Sequence, residues 1–134
     1  MLKVCLDTNI LISGVLFAGK PAEIVSLAFN KKFELILSQI ILNELEKNLL
    51  HKFDYSYRNT KKLVNRLLQI SDLYEPTGQV NVIVGNRGDN LVLETAVIGG
   101  AKYLVTGDHK DLLPLKFYRN VRIIEAWYFL EVIK

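Results

Sequence analysis

Cysteine occurs once in this 134-residue chain, at Cys5. One thiol excludes an internal disulfide and any metal site built from cysteines, and its place in an apolar stretch reads as a buried side chain. Histidine is nearly as scarce, with His51 and His109 alone. No serine or cysteine has a plausible histidine base, which argues against a covalent nucleophile. No apolar run approaches the ~20 residues needed to cross a bilayer. Lys3 and Asp7 interrupt the opening before a secretory leader develops. The expectation is a cytoplasmic protein without a membrane partner. Repeats, linkers and low-complexity tracts are also missing, so residues 1–134 are expected to form one domain.

What is present is an ordinary globular composition, half hydrophobic and 23% charged, with a net charge of +3. The distribution of that charge is more informative than its sum. Lys47, Lys52, Arg58, Lys61, Lys62 and Arg66 face the single Asp54 between residues 47 and 66, so this segment is +5 and the remainder −2. A basic surface beside an acidic region suits a metal site next to a phosphate-binding face. Lys52, Arg58 and Lys62, with Phe53, Tyr55 and Tyr57 interleaved, are candidates for contacts to nucleic-acid backbone phosphates and for stacking unpaired bases. A solvated helix face with core aromatics is the alternative.

Two short stretches share one design. Lys3–Leu6 is a brief apolar strand closed by Asp7, Thr8 and Asn9; Tyr103–Val105 is another, closed by Thr106, Gly107 and Asp108. Strands that each deliver an aspartate at the same end form a site when they lie side by side, because open parallel sheets bind ligands beyond their carboxyl ends. Between them the pattern predicts a helix from Thr8 to Leu16, a second opening at Pro21, and a strand at Phe33–Leu37. Ser38 caps a long helix, and an amphipathic helix runs on to Ser71. Val80–Val84 reads as a short extended piece. Asp89 is placed to cap a helix ending at Gly99-Gly100, and a last strand, Val121–Ile124, precedes a closing helix with Ile123, Trp127, Leu130 and Ile133 as core or dimer surface. Strands alternating with helices predict βαβ units, a parallel sheet and helices on both faces.

Taken singly, Asp7, Asp89 and Asp108 each read as a helix cap, and Glu44 as an exposed helix residue beside Lys47. Taken together they face one sheet edge. Four carboxylates at one edge repel, and some would stay protonated without a cation. Oxygen ligands of this kind suit Mg²⁺ or Mn²⁺, and such an ion equips a site for phosphodiester hydrolysis. Asp111, three residues after Asp108, reads either as a reciprocal cap or as a further ligand. Thr8, Asn9, Ser38 and Thr106 are candidates to orient the acids by hydrogen bonds, although turn and cap chemistry accounts for them too. Glu94 reads as a helix-face residue and His109 as a solvent-facing turn residue. The run Gly14 to Lys20 mimics a phosphate loop, but Pro21 stands where a Ser or Thr is needed.

The sequence resembles PIN domains, the metal-dependent nuclease fold of VapC-like toxins. The likeness rests on Leu6-Asp7-Thr8-Asn9, Ser38 to Glu44 with Asn43-Glu44-Leu45, Asp89-Asn90, and Thr106-Gly107-Asp108 with Asp111-Leu112-Leu113, in order along nearly the whole chain. One departure is Asn86-Arg87-Gly88, where similar proteins are often more acidic. The resemblance implies a three-layer α/β/α fold with a five-stranded parallel sheet in order 3-2-1-4-5. It also implies an acidic quartet of Asp7, Glu44, Asp89 and Asp108 holding Mg²⁺ or Mn²⁺, single-stranded RNA as substrate, a cognate antitoxin and a homodimer. Two rivals remain at this stage. A phosphotransfer domain working through an aspartyl phosphate would need an acid where Asn9 stands, and a non-catalytic module would bind RNA or a partner without cutting.

Overall fold

Strand β1 (Lys3–Leu6) occupies the middle of the sheet, and its burial explains its composition. After Lys3 the side chains of Val4, Cys5 and Leu6 have no exposed surface. A strand covered on both faces reads as a continuous apolar run rather than an alternating one. The same holds for β2 (Glu34–Leu37) and β4 (Tyr103–Val105). The computed structural model describes all residues, Met1–Lys134. β1 pairs in parallel with β2, Cys5 opposite Ile36, and with β4, Leu6 opposite Val105. β3 (Ser71–Leu73) adds to β2 and β6 (Val121–Ile124) to β4, both parallel, while the two-residue β5 (Phe117–Tyr118) closes the edge antiparallel to β6. The order is β3-β2-β1-β4-β6-β5.

Six α-helices complete this mixed α/β fold: α1 (Thr8–Leu16), α2 (Lys20–Phe29), α3 (Gln39–His51), α4 (Tyr57–Ile70), α5 (Arg87–Ile98) and α6 (Ala126–Ile133). Helix α5 packs on β2, β1 and β4; α1 packs on α2 and α3, α3 on α4, and α2 on α6. Pro21 falls in the first turn of α2, and the Ser38 hydroxyl accepts from the Ile41 N–H at 3.3 Å to start α3, as the sequence predicts. No single helix is long and apolar enough to cross a membrane.

Three expectations are corrected. The third parallel strand is Ser71–Leu73, not Val80–Val84. No glycine or proline separates α4 from β3; the chain simply turns extended at Ser71, with φ −106° and ψ 155°. The sheet has six strands rather than five, through the small antiparallel β5. Helix α5 is capped by Asn86, whose side chain accepts from the Asp89 N–H at 2.9 Å, so Asp89 sits inside the first turn instead of capping it.

The buried member of α6 is Phe129, not Trp127, which is 52% exposed. Phe129 packs edge-on against Phe33 at 5.3 Å and against Tyr103 at 6.3 Å between ring centroids, tying α6 to β4 and to the entry of β2. Cys5 is sealed within β1, and burial, with Asp7 nearby, pushes its thiol pKa far above the usual value. Because Phe129 has no exposed surface, Phe129→Ala is expected to cost about 3–5 kcal/mol of stability. Urea unfolding of the two proteins, compared at equal denaturant dependence, checks this.

Candidate metal centre

The register of β1 against β4 brings the two acid-bearing turns together. Leu6 lies opposite Val105, and the chain continues the pairing one step further, with Asp7 N–H donating to Val105 C=O at 3.2 Å. Asp7 then caps α1, its Oδ1 accepting from Ile10 N–H at 2.9 Å. Its other oxygen accepts a short hydrogen bond from the Thr106 hydroxyl, and that hydroxyl in turn accepts from Asp108 N–H at 3.0 Å. Thr106 has no exposed surface. One buried hydroxyl therefore sets the spacing between the two strand-end aspartates.

Asp108 Oδ1 accepts from the N–H groups of Lys110 and Asp111 at 3.0 and 3.1 Å, folding the next turn back beside it. One carboxylate oxygen from each of Asp89, Asp108 and Asp111 then falls within 4.8 Å of the others. Asn86 braces this trio: its amide nitrogen donates to Asp89 Oδ2 at 2.7 Å and to Asp111 Oδ2 at 3.0 Å. Asp7 borders the trio closely enough to repel Asp89. Glu44 is exposed on α3 and reaches the others only through its field, which acts on Asp7.

The remaining sequence candidates divide. Thr106 orients Asp7, as expected. Ser38 is taken up by capping α3, and the buried Thr8 hydroxyl has no partner at all. Asn9 is exposed and makes no hydrogen bond to the acids. His109 faces away, its Nε2 3.1 Å from Glu125 Oε1. In the basic segment Lys61 pairs with Glu46 at 2.5 Å and Arg66 lies 4.2 Å over the Phe29 ring. Lys52, Arg58 and Lys62 are exposed without ion pairs, Lys62 lining a cleft between α2 and α4 with Asn59 and Tyr55.

Residues that carried no such role in the sequence hold the back of the site. Glu94 is buried, and its carboxylate accepts from the N–H groups of Thr77, Gly78, Gln79 and Val80 at 2.5–3.1 Å. Burial opposes its charge, but these four donors overcome it and hold its pKa below the usual carboxylate value. Buried Asn90 accepts from Val82 and Ile83 N–H and donates to the carbonyls of Ile83 and Asn86. Two side chains of α5 thus tie down the whole loop from residue 77 to 86. The one signal available beforehand was the Asn86-to-Asp89 spacing of a helix cap with an acid three residues on.

Electrostatics distinguish the acids. Burial pushes Asp7 up to about 6; bonds from Thr106 and Ile10 oppose this, and the charges of Asp108 and Glu44 add to it. Asp89 rises to about 7 through burial first, then its hydrogen bond with Asp108 and repulsion from Asp108, Asp111 and Asp7. Asp108 moves the other way. Burial disfavours its charge, but the Asp89 proton and the N–H groups of Asp111, Lys110 and Leu112 hold it low. The two carboxyls therefore titrate as a coupled pair, Asp89 above and Asp108 below the ordinary carboxylate value. No lysine or arginine lies within ion-pair distance of any of these carboxylates. Convergent oxygens with uncompensated charge are the donor set that Mg²⁺ or Mn²⁺ takes, so the residues fit such an ion.

A raised carboxyl pKa stabilises the fold where the group is protonated, and that contribution is lost as pH rises through the folded value. Metal-free protein is therefore expected to lose stability between about pH 4 and 7. Asp7→Asn should remove much of that slope and make the metal-free protein more stable at pH 8, by up to about 3 kcal/mol. Urea unfolding in EDTA across this range measures both effects.

Comparison with known proteins follows the same outline. Residues 3–110 match the PIN domain family. No curated protein sequence matches the chain. Among solved structures, the crystal structure of VapBC2 from Rickettsia felis bound to a DNA fragment from their promoter contains a similar chain. The two are 19% identical, with a TM-score of 0.64, over 92% of this chain and 98% of that one. At that identity the likeness shows the fold. The family match runs from the first strand to the turn beyond Asp108 and takes in every element that carries Asp7, Glu44, Asp89 and Asp108: the chain belongs to the PIN-domain family.

Proposed function

We propose that this PIN domain is a Mg²⁺- or Mn²⁺-dependent endoribonuclease acting on single-stranded RNA, and the toxin of a toxin–antitoxin pair. The observation that carries the reading is the carboxylate trio of Asp89, Asp108 and Asp111, with Asp7 beside it and no basic side chain to neutralise them. A divalent ion, when bound, supplies polarisation of a water and of the scissile phosphate. Asp7, Asp89 and Asp108 are its proposed ligands, Asp111 a further one, and Glu44 adds negative field from α3. The chain's own work is to hold those oxygens in place and to give up protons. Thr106 and Ile10 fix Asp7, Asn86 fixes Asp89 against Asp111, and the raised Asp7 and Asp89 would have to ionise to hold an ion.

The toxin assignment draws on the similar chain in a VapBC2 complex. By that analogy a cognate antitoxin restrains the enzyme by covering the acidic edge, in the cytoplasm. Exposed apolar surface, including Phe17 and Phe117, provides room for a homodimer. Lys52, Arg58 and Lys62 are the proposed contacts to RNA phosphates along α4 and the turn before it.

Single-stranded RNA should be cut in Mg²⁺ or Mn²⁺ and left intact in EDTA, and Asp108→Asn should lose at least about 100-fold in rate. Cleavage that survives both treatments removes the metal-nuclease reading. Calorimetric Mn²⁺ titrations should show affinity rising as pH increases through about 6 and 7, with protons released, because Asp7 and Asp89 must ionise. In the same titrations Thr106→Val should weaken Mn²⁺ binding by about 10–100-fold. Thr8→Val, which deletes a hydroxyl bonded to nothing, should leave it unaltered.

A further inference from the structure

A second cleft, of about 510 Å³, opens against the acidic centre at Thr106 and Gly107. Thr106 is the residue whose hydroxyl joins Asp7 to the Asp108 N–H. The wall of this cleft is therefore also the wall of the proposed metal site. Trp127, at the start of α6, and Lys20, at the start of α2, also line it, with Asn9, Ser13 and Glu125. The volume falls within the ~300–1,000 Å³ usual for sites that enclose a small-molecule-sized group.

Trp127 is exposed, yet it is held. Its indole N–H donates to Glu125 Oε2 at 2.8 Å, and the Tyr128 ring packs edge-on at 5.5 Å. Glu125 is itself fixed from the other side by His109 at 3.1 Å. An indole fixed in orientation while half of its surface stays in solvent offers a stacking platform with little ordering left to do. Lys20 is exposed and forms no ion pair. A cation and an aromatic face in one cleft match the two recognisable parts of a nucleotide, because every base has a π-face and every linkage a negative phosphate. A base inside a duplex is already stacked and cannot reach such a ring.

The geometry points to this cleft as the subsite for one unpaired nucleotide adjacent to the bond that is cut, with Trp127 stacking its base and Lys20 meeting its phosphate. The inference rests on the ribonuclease reading and adds where the strand runs and why it must be single.

Trp127 is the sole tryptophan of the chain, so its fluorescence reports on this cleft alone. Wild-type protein is titrated with a single-stranded mixed-sequence oligoribonucleotide, and with an abasic ribose-phosphate oligomer of equal length, in EDTA and again in Ca²⁺. Saturable quenching by the first oligomer and none by the second is expected. Anisotropy of a labelled oligoribonucleotide should show binding weakened about tenfold in Trp127→Ala and largely retained in Trp127→Phe. In Lys20→Ala the dependence of log K on log salt should flatten by about 0.7. Unquenched emission in both buffers, or Trp127→Ala binding RNA like wild type, overturns the subsite. So does a Trp127→Ala protein that only changes from dimer to monomer in sedimentation, which would give the face to a second copy. Metal-dependent cleavage persisting in any of these cases leaves the ribonuclease reading intact, whereas quenching without cleavage by wild type in Mg²⁺ removes that reading alone.

Discussion

Asp7 and Asp108 leave neighbouring strands at the same edge, and a single hydroxyl, that of Thr106, is shared between the carboxylate of one and the backbone of the other. Two acids brought so near one another, with Asp89 and Asp111 alongside, repel when charged. Burial first and that repulsion second raise Asp7 and Asp89, while hydrogen bonds from Asp89 and the following backbone N–H groups hold Asp108 low. The sheet order, the abrupt strand ends and the braces around the edge all serve to keep these oxygens from moving apart. The oxygens are thereby in place beforehand, as the proposed metal site requires.

The braces come from inside the fold rather than from the surface. Glu94 and Asn90 lie on the face of α5 that points inward, and each satisfies backbone donors that a strand would otherwise have paired. A loop without its own ladder is thereby as fixed as a strand, and Asn86 at its end can hold Asp89 and Asp111 in register. A buried charge is tolerable in Glu94 because four N–H groups converge on it. The same helix begins with a carboxylate that lacks such donors, and its pKa moves in the opposite direction.

Much of the fold was legible because buried parallel strands write themselves as short apolar blocks, and β1, β2 and β4 each end on a polar cap residue or an acid. Ser71–Leu73 was not, since nothing in Gln69-Ile70-Ser71-Asp72 marks where helix becomes strand. Val80–Val84 has the composition of a strand, but its donors go to Asn90 and Glu94, partners that no local pattern identifies. The stripe assigned to the last helix left Trp127 as core or dimer surface; residues 126–133 are apolar almost all round, so sequence spacing leaves the helix phase open, and Phe129 takes the core while Trp127 is exposed. At the site, Asp7, Asp89 and Asp108 were visible as acids after strands and before a helix. That Asp111 converges with two of them depends on how the turn after Asp108 folds back, and that Glu44 stays in solvent on which face of α3 the core takes; both are matters of three-dimensional path.

Cys5 lies two residues before Asp7, directly beneath the acidic edge, yet it is enclosed and its thiol resists ionisation. His109, next in sequence to Asp108, is turned toward Glu125. Sulfur and imidazole favour softer metals such as zinc and copper, whereas carboxylate oxygens and water suit magnesium and manganese. With that sulfur sealed inside β1 and that imidazole held by Glu125, the acidic edge presents oxygen donors, the chemistry that hard divalent cations accept.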